Sequence, residues 1–194
     1  MPKLWDETIE AHRLQVRDAI LEAAAGLASE HGPLNVTMSQ IADEAGIGRA
    51  TLYKYFSSIE EILRAWHDHQ ISRHLELLAD IADRDEPAIG RLEAVLNTYA
   101  QIQHQRADHG AQPHGHELSA MLHRETDLAP AEKQLHDLVR TLIEAAAQDR
   151  QVRSDITPGE LSTFCLHALS AASTARSKAA THRLVGLVLD GLRE

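Results

Sequence analysis

The chain has 194 residues, 43 % of them hydrophobic and 25 % charged, a make-up that fits a globular protein and argues against disorder. No apolar run approaches the ~20 residues that cross a bilayer, and Met1–Glu7 has no apolar secretory core, so neither a membrane partner nor export is expected. The net charge of −10 excludes a broad basic field, so any contact with nucleic acid must come from a few placed side chains and helix termini.

Helical periodicity runs almost from end to end, and no stretch reads as a strand. Val16, Ile20, Ala23, Leu27 and Ala28 make the apolar stripe of a first helix over roughly Leu14 to Glu30, which His31-Gly32-Pro33 stops. Thr37-Met38-Ser39-Gln40 has capping-box form and opens a second, short helix that Gly46 ends. A third short helix runs from about Arg49 to Phe56. Ser57-Ser58 caps a long fourth helix lined by Ile59, Ile62, Leu63, Trp66, Gln70, Ile71, Leu78 and Ile81, and Asp83–Pro87 closes it.

Leu92, Val95, Leu96, Tyr99 and Ile102 define a fifth helix. A Gly-, Pro- and His-rich loop over His109–Gly115 leads to a short sixth around Leu118, Met121 and Leu122. Leu135, Leu138, Val139, Leu142, Ile143 and Ala146 mark the seventh. Thr157-Pro158 opens the eighth, with Leu161, Phe164, Cys165, Ala168, Leu169 and Ala172 as its stripe. Leu184, Leu187, Val188 and Leu192 belong to the last. The fold class is all-α, with about nine helices.

Residues 37–56, TMSQIADEAGIGRATLYKYF, carry the functional signal. Ile41, Ala42 and Ala45 bury one face of a short helix, Gly46 supplies the positive φ for a tight reversal, and Ile47 plugs the gap between the helices. Leu52 and Phe56 anchor the next helix from inside. Its outer side presents Arg49, Ala50, Thr51, Tyr53, Lys54 and Tyr55. In a helix-turn-helix this second helix enters the major groove. There Arg49 reaches a guanine edge, Thr51 offers a hydroxyl and a methyl, and Tyr53, Lys54 and Tyr55 suit phosphates. Thr37 and Ser39, at the start of the preceding helix, complete the expected DNA contacts. Arg13 and Arg17 are either further phosphate contacts or solvated charges.

The pattern Thr37-x3-Ile41-Ala42-x2-Ala45-Gly46-Ile47-x4-Leu52-Tyr53-x-Tyr55-Phe56 resembles the signature of the TetR (tetracycline-repressor-like) family of regulators, over roughly residues 14–63. Two positions depart from it. Gly48 stands where the family often has Ser, a weaker N-cap, and Ile59 where it often has Lys, which removes a phosphate contact. The resemblance implies an Ω-like homodimer with a helix-turn-helix domain over 1–57 and a ligand-binding and dimerisation domain over 58–194. It also implies pairing of the last two helices with those of the partner, and a body pocket for a small-molecule effector that changes head spacing. The expected partner is a pseudo-palindromic double-stranded DNA operator, and the expected role is that of a repressor.

Trp66, Tyr99, Met121, Leu122, Leu138 and Phe164 are the expected pocket lining, although stripes of this kind also serve as plain core. The small-residue run Ser170–Ala175 places Leu169, Ala172, Ser173, Leu184, Leu187 and Val188 in the expected dimer interface. Thirteen histidines raise a metal reading, densest at His104, His109, His114, His116, Glu117 and His123. A loop flanked by glycines holds ligand geometry poorly, so we take it as a polar loop, with no metal and no cofactor expected. The lone Cys165 excludes an intrachain disulfide framework, sits on an apolar stripe, and fits a reducing cytoplasm. No catalytic residue is expected, and the paired Glu-x-x-His of a di-iron bundle enzyme is absent. A helical adaptor that ignores DNA is the other rival, favoured only by the acidic balance.

Overall fold

The first helix, α1, runs Lys3–His31, eleven residues earlier than its apolar stripe suggests. The added stretch is rich in good helix formers and free of Gly and Pro, so the helix propagates through it without a buried face, leaving Ile9 and Leu14 exposed. The computed structural model describes residues 3–110 and 128–193, and every regular element among them is helical. After α1 come a 3-10 turn at Pro33–Asn35, α2 (Met38–Glu44), α3 (Arg49–Tyr55), α4 (Ile59–Ala82) and α5 (Ala88–Gly110). Then follow α6 (Ala129–Gln148), α7 (Pro158–Ser170), a 3-10 turn at Ala171–Thr174, and α8 (Lys178–Gly191). The expected short helix around Leu118, Met121 and Leu122 lies outside the described residues, so α6, α7 and α8 are the seventh, eighth and ninth helices of the sequence pattern.

The chain divides into two compact units, with α4 continuous from one into the other at Gln70. In the N-terminal unit Ile20, Leu21 and Ala24 of α1 pack with Ile41 and Ala42 of α2, Leu52 of α3, and Ile62 and Leu63 of α4. Ile20, Leu21, Ile41, Leu52, Ile62 and Leu63 are fully buried, each contributing about 1.5–3 kcal/mol by leaving water. The first turns of α4 therefore belong to this core, so the unit extends past residue 57.

The second unit begins at Ile71. Its core joins Leu78 of α4 and Leu92, Val95 and Leu96 of α5 to Val139 and Ile143 of α6, Cys165 and Leu169 of α7, and Val185, Val188 and Leu189 of α8. The α6–α7 pair is pinned by a buried hydroxyl: Ser162 Oγ donates to the His136 carbonyl at 3.0 Å. Arg91 Nη1 donates to the Ala82 carbonyl at 2.7 Å and closes the α4–α5 turn. The eighth helix stops short of Ala172, the last residue of its expected stripe. α7 ends at Ser170 and the 3-10 turn takes over, because Ser170, Ser173 and Thr174 each turn a hydroxyl back onto a carbonyl three residues earlier.

Candidate functional site

The turn between α2 and α3 is built by capping. Thr37 and Gln40 form the full box: Thr37 N and Oγ1 donate to Gln40 Oε1 at 2.9 and 2.7 Å, and Gln40 N donates to Thr37 Oγ1 at 3.3 Å. The Thr37 hydroxyl is thus engaged in the cap, while Ser39, in the first turn, is half-buried. At the other end Ile47 N donates to the Ala42 carbonyl at 2.9 Å and Gly46 N to the Asp43 carbonyl at 3.2 Å, a Schellman arrangement around Gly46 at φ 67°. Gly48 then caps α3 through backbone alone, at φ −71° and ψ 144°, with no side-chain bond.

That geometry fixes which side of α3 faces out. Leu52 is fully buried and Phe56 is 6 % exposed, both turned into the N-terminal core. Arg49, Ala50, Tyr53 and Lys54 are exposed, and Thr51 and Tyr55 are half-buried at the edges. Two cations and the Tyr53 phenol thus share the solvent side of one short helix whose inner side is locked, with the Thr51 hydroxyl at its edge, while Tyr55 packs against the N-terminal core. Arg17 of α1 lies over the Phe56 ring with its guanidinium carbon 5.8 Å from the centroid, a cation–π contact holding the end of α3 to α1. Beyond it Ser57 N and Oγ both donate to Glu61 Oε2, at 2.8 and 2.7 Å, and Glu61 N donates to Ser58 Oγ at 3.2 Å. The two Ser57 bonds hold the Glu61 carboxyl below its ordinary pKa. Ile59 packs against the N-terminal core, a use of that position which a lysine would not share.

The second unit contains a cavity of about 150 Å³. Three helices each line it with an i, i+3, i+4, i+7 face. From α4 come Ile71, His74, Leu75 and Leu78; from α5 come Tyr99, Ile102, Gln103 and Arg106; from α6 and the residue before it come Leu128, Ala131, Glu132 and Leu135. Burial, with Arg106 and Arg73 nearby, pushes the His74 imidazole below its ordinary pKa. Burial raises the Tyr99 phenol, against a hydrogen bond with Gln103 and the charge of Arg106.

Of the expected pocket lining, Tyr99 alone among the described residues lines this cavity. Trp66 packs against the N-terminal core, Leu138 against the core of the second unit, and Phe164 is 47 % exposed. Met121 and Leu122 lie outside the described residues. His74, Gln103, Arg106 and Glu132 were missed, and their signal is a polar residue set inside an otherwise apolar i, i+3, i+4, i+7 series. Of the expected interface residues, Leu169, Ala172 and Val188 are buried in the subunit's own core, Leu184 is half-buried, and Ser173 and Leu187 are exposed. The Phe164 ring lies 3.5 Å from where a Cβ on Gly191 would stand, so it covers α8 on the turn next to Leu187.

Burial pushes the Cys165 thiol up to about 12, out of reach of thiolate chemistry near neutral pH. Among the described residues no three His, Cys, Asp or Glu side chains come together to hold a metal. His114, His116, Glu117 and His123 fall outside them. No described helix is long and apolar enough to cross a membrane.

Residues 20–66 match the family model for bacterial regulatory proteins of the tetR family, and residues 91–194 match that of the SbtR-like transcriptional regulator C-terminal domain. The repressor KstR2 of Rhodococcus jostii is 32 % identical over 148 residues, covering 72 % of this chain and 69 % of that one. An uncharacterised HTH-type regulator of Mycobacterium tuberculosis is 40 % identical over 87 residues, 44 % of this chain; the match spans 43 % of that relative's length. A TetR transcriptional regulator of Streptomyces coelicolor has the same fold, with a TM-score of 0.63 at 29 % identity over 91 % of this chain and 98 % of that one. Both halves of the sequence, the helix-turn-helix and the helical unit behind it, are thus matched, and the chain belongs to the TetR family of bacterial regulators.

Proposed function

We propose that this chain is a sequence-specific DNA-binding transcriptional regulator, acting as a repressor that a small-molecule effector releases from its operator. The observation that carries the reading is the outer face of α3. Arg49, Ala50, Tyr53 and Lys54 stand exposed on a helix whose opposite side, Leu52 and Phe56, is sunk in the core. Arg49 is assigned to a base edge and Thr51, Tyr53, Lys54 and Tyr55 to phosphates and neighbouring bases. With a net charge of −10 the protein has no general attraction to DNA, so specificity rests on this short face and on doubling it in a dimer.

The N-terminal unit is the reading head and the second unit the sensor. The dimer contact is assigned to the outward side of α7 and α8, where Phe164 and Leu187 are 47 % and 69 % exposed. Large apolar side chains left outside in neighbouring helices favour a second copy as their cover. Effector action follows from linkage: a ligand that binds the state of low operator affinity opposes operator binding by its differential affinity for the two states.

The test is selection of bound sequences from random double-stranded DNA by the purified protein. Recovery of an inverted repeat with half-sites about one helical turn apart supports the reading. Absence of any enriched sequence overturns it.

A further inference from the structure

The chemistry of the cavity in the second unit is specific enough to name a class of ligand. Resting on the effector-responsive reading above, we propose that it takes a small amphipathic carboxylate whose head group sits against Arg106 and His74, with its hydrocarbon body along the aliphatic faces of α4, α5 and α6.

Size comes first. A volume of about 150 Å³ is that of a cavity able to hold benzene, so the part of the occupant held between the helices has about six to ten non-hydrogen atoms. Sign comes next. Arg106 lines the cavity from α5 and is itself exposed, so the head group lies at the solvent edge. Two cations act on His74: Arg106 across from it and Arg73 beside it on α4. Among the described residues no carboxylate forms an ion pair with Arg106. The one acid in the lining is Glu132 of α6, which is exposed and acts on Tyr99. Among the described residues the charges acting on His74 are both positive, with the exposed Glu132 the one counter-charge in the lining, and an incoming carboxylate adds a second. A guanidinium pairs with a carboxylate through two parallel N–H bonds, and Tyr99 and Gln103 add neutral hydrogen-bonding groups beside it.

The arrangement also gives binding a proton signature. In the free protein burial and the two arginines keep His74 neutral below its ordinary value of 6.5. An anion placed between His74 and Arg106 offsets those cations and favours imidazolium, so His74 gains a proton from solvent on binding. Affinity therefore rises as pH falls through the interval between the free and bound pKa values. Among the described residues, the charged and titratable groups that share the lining with His74 are Arg106 and Tyr99 on α5 and Glu132 on α6, and Arg73 acts on it from its own helix.

Calorimetric titration of the full chain tests this with benzoate and hexanoate against benzamide and hexanamide, and with benzylamine as the cationic control. The carboxylates are expected to bind roughly tenfold or more tighter than the amides, and benzylamine more weakly still. Benzoate should tighten several-fold from about pH 8 to pH 6, with a heat that depends on the buffer's ionisation enthalpy. Arg106→Gln should erase the preference for carboxylate over amide while leaving amide binding in place, which reports an intact cavity. His74→Gln should keep carboxylate binding and lose its pH dependence. Equal binding of amide and carboxylate, tighter binding of benzylamine, or no carboxylate binding up to about 10 mM in protein that still binds its selected operator overturns the proposal. Carboxylate binding in a protein that selects no DNA sequence sinks the regulator reading and leaves the anion site standing.

Discussion

Arg17 stacks its guanidinium on the face of Phe56, 5.8 Å from the ring centroid, and so joins the first helix to the residue that ends α3. The pair holds α3 from behind with a charge that keeps part of its hydration, since Arg17 is half-buried. Arg17→Ala is expected to cost about 0.5–1 kcal/mol of stability, and Phe56→Leu more, because it also removes core volume. In urea denaturation the double mutant should fall short of the sum of the two by about the cation–π increment. Additivity would remove the contact from the account.

Two Schellman turns make the same demand on their central residue, a positive φ, and meet it with different side chains. Gly46 sits at φ 67° with nothing within 4 Å of an added Cβ, so Gly46→Ala introduces backbone strain and no clash. It should destabilise the protein by about 1 kcal/mol. Arg150 holds the same place after α6, with Gln151 N donating to the Ala146 carbonyl at 3.0 Å, but at φ 55° with a side chain attached. Arg150→Gly should therefore stabilise by up to about 1 kcal/mol, and thermal denaturation of the two variants should move the midpoint in opposite directions.

Several carboxylates serve the fold by being ionised. Hydrogen bonds from Thr157 lower the pKa of Glu160, those from Ser57 that of Glu61, and those from Arg153 that of Asp155. A group whose folded pKa lies below its unfolded value gives stability that is present above the unfolded value, about 4.5 for Glu, and is lost as pH falls through the folded one. Unfolding free energy should thus be flat near neutrality in this respect and decline below about pH 4.5. Glu160→Gln keeps the capping geometry of α7 and should flatten part of that decline in denaturant titrations at stepped pH.

If α7 and α8 form the dimer contact, Leu187→Glu should be the sharpest probe of it. The side chain is 69 % exposed in the subunit, so the change costs the fold little, within about 0.5 kcal/mol. In a dimer it buries an unpaired charge. Sedimentation should report a shift to monomer, with operator affinity lost while helix content and thermal midpoint stay near those of the parent. A dimer that survives the substitution places the contact elsewhere.

The sequence shows plainly those parts of the molecule that short-range chemistry decides. Thr37 and Thr157 announce capping boxes, Gly46 its reversal, and the Leu52–Phe56 spacing the inner side of α3, because each depends on residues within one turn of chain. The misreadings concern which neighbour an apolar stripe meets. Trp66 and Leu78 lie on one stripe of α4, yet Trp66 packs in the N-terminal core and Leu78 in the second, since the helix passes through both units. Phe164 sits beside Cys165 in the pattern of α7, but the Ser162–His136 bond fixes the helix so that Cys165 is buried and Phe164 turned outward. The cavity's polar groups were passed over because periodicity counts only apolar residues, and His74 and Arg106 occupy positions where such a count expects none.

The reading face of α3 is the central claim, and salt-dependent operator binding of the Arg49→Ala, Tyr53→Ala double mutant tests it most directly. For the parent, log affinity should fall linearly with log salt, as counterions leave the phosphates that the protein contacts. The double mutant should keep its fold, both side chains being exposed, lose about 10²-fold or more in specific affinity, and show a shallower salt slope. A double mutant that binds the operator as tightly as the parent, with the same slope, would contradict the assignment of α3 as the DNA-reading helix.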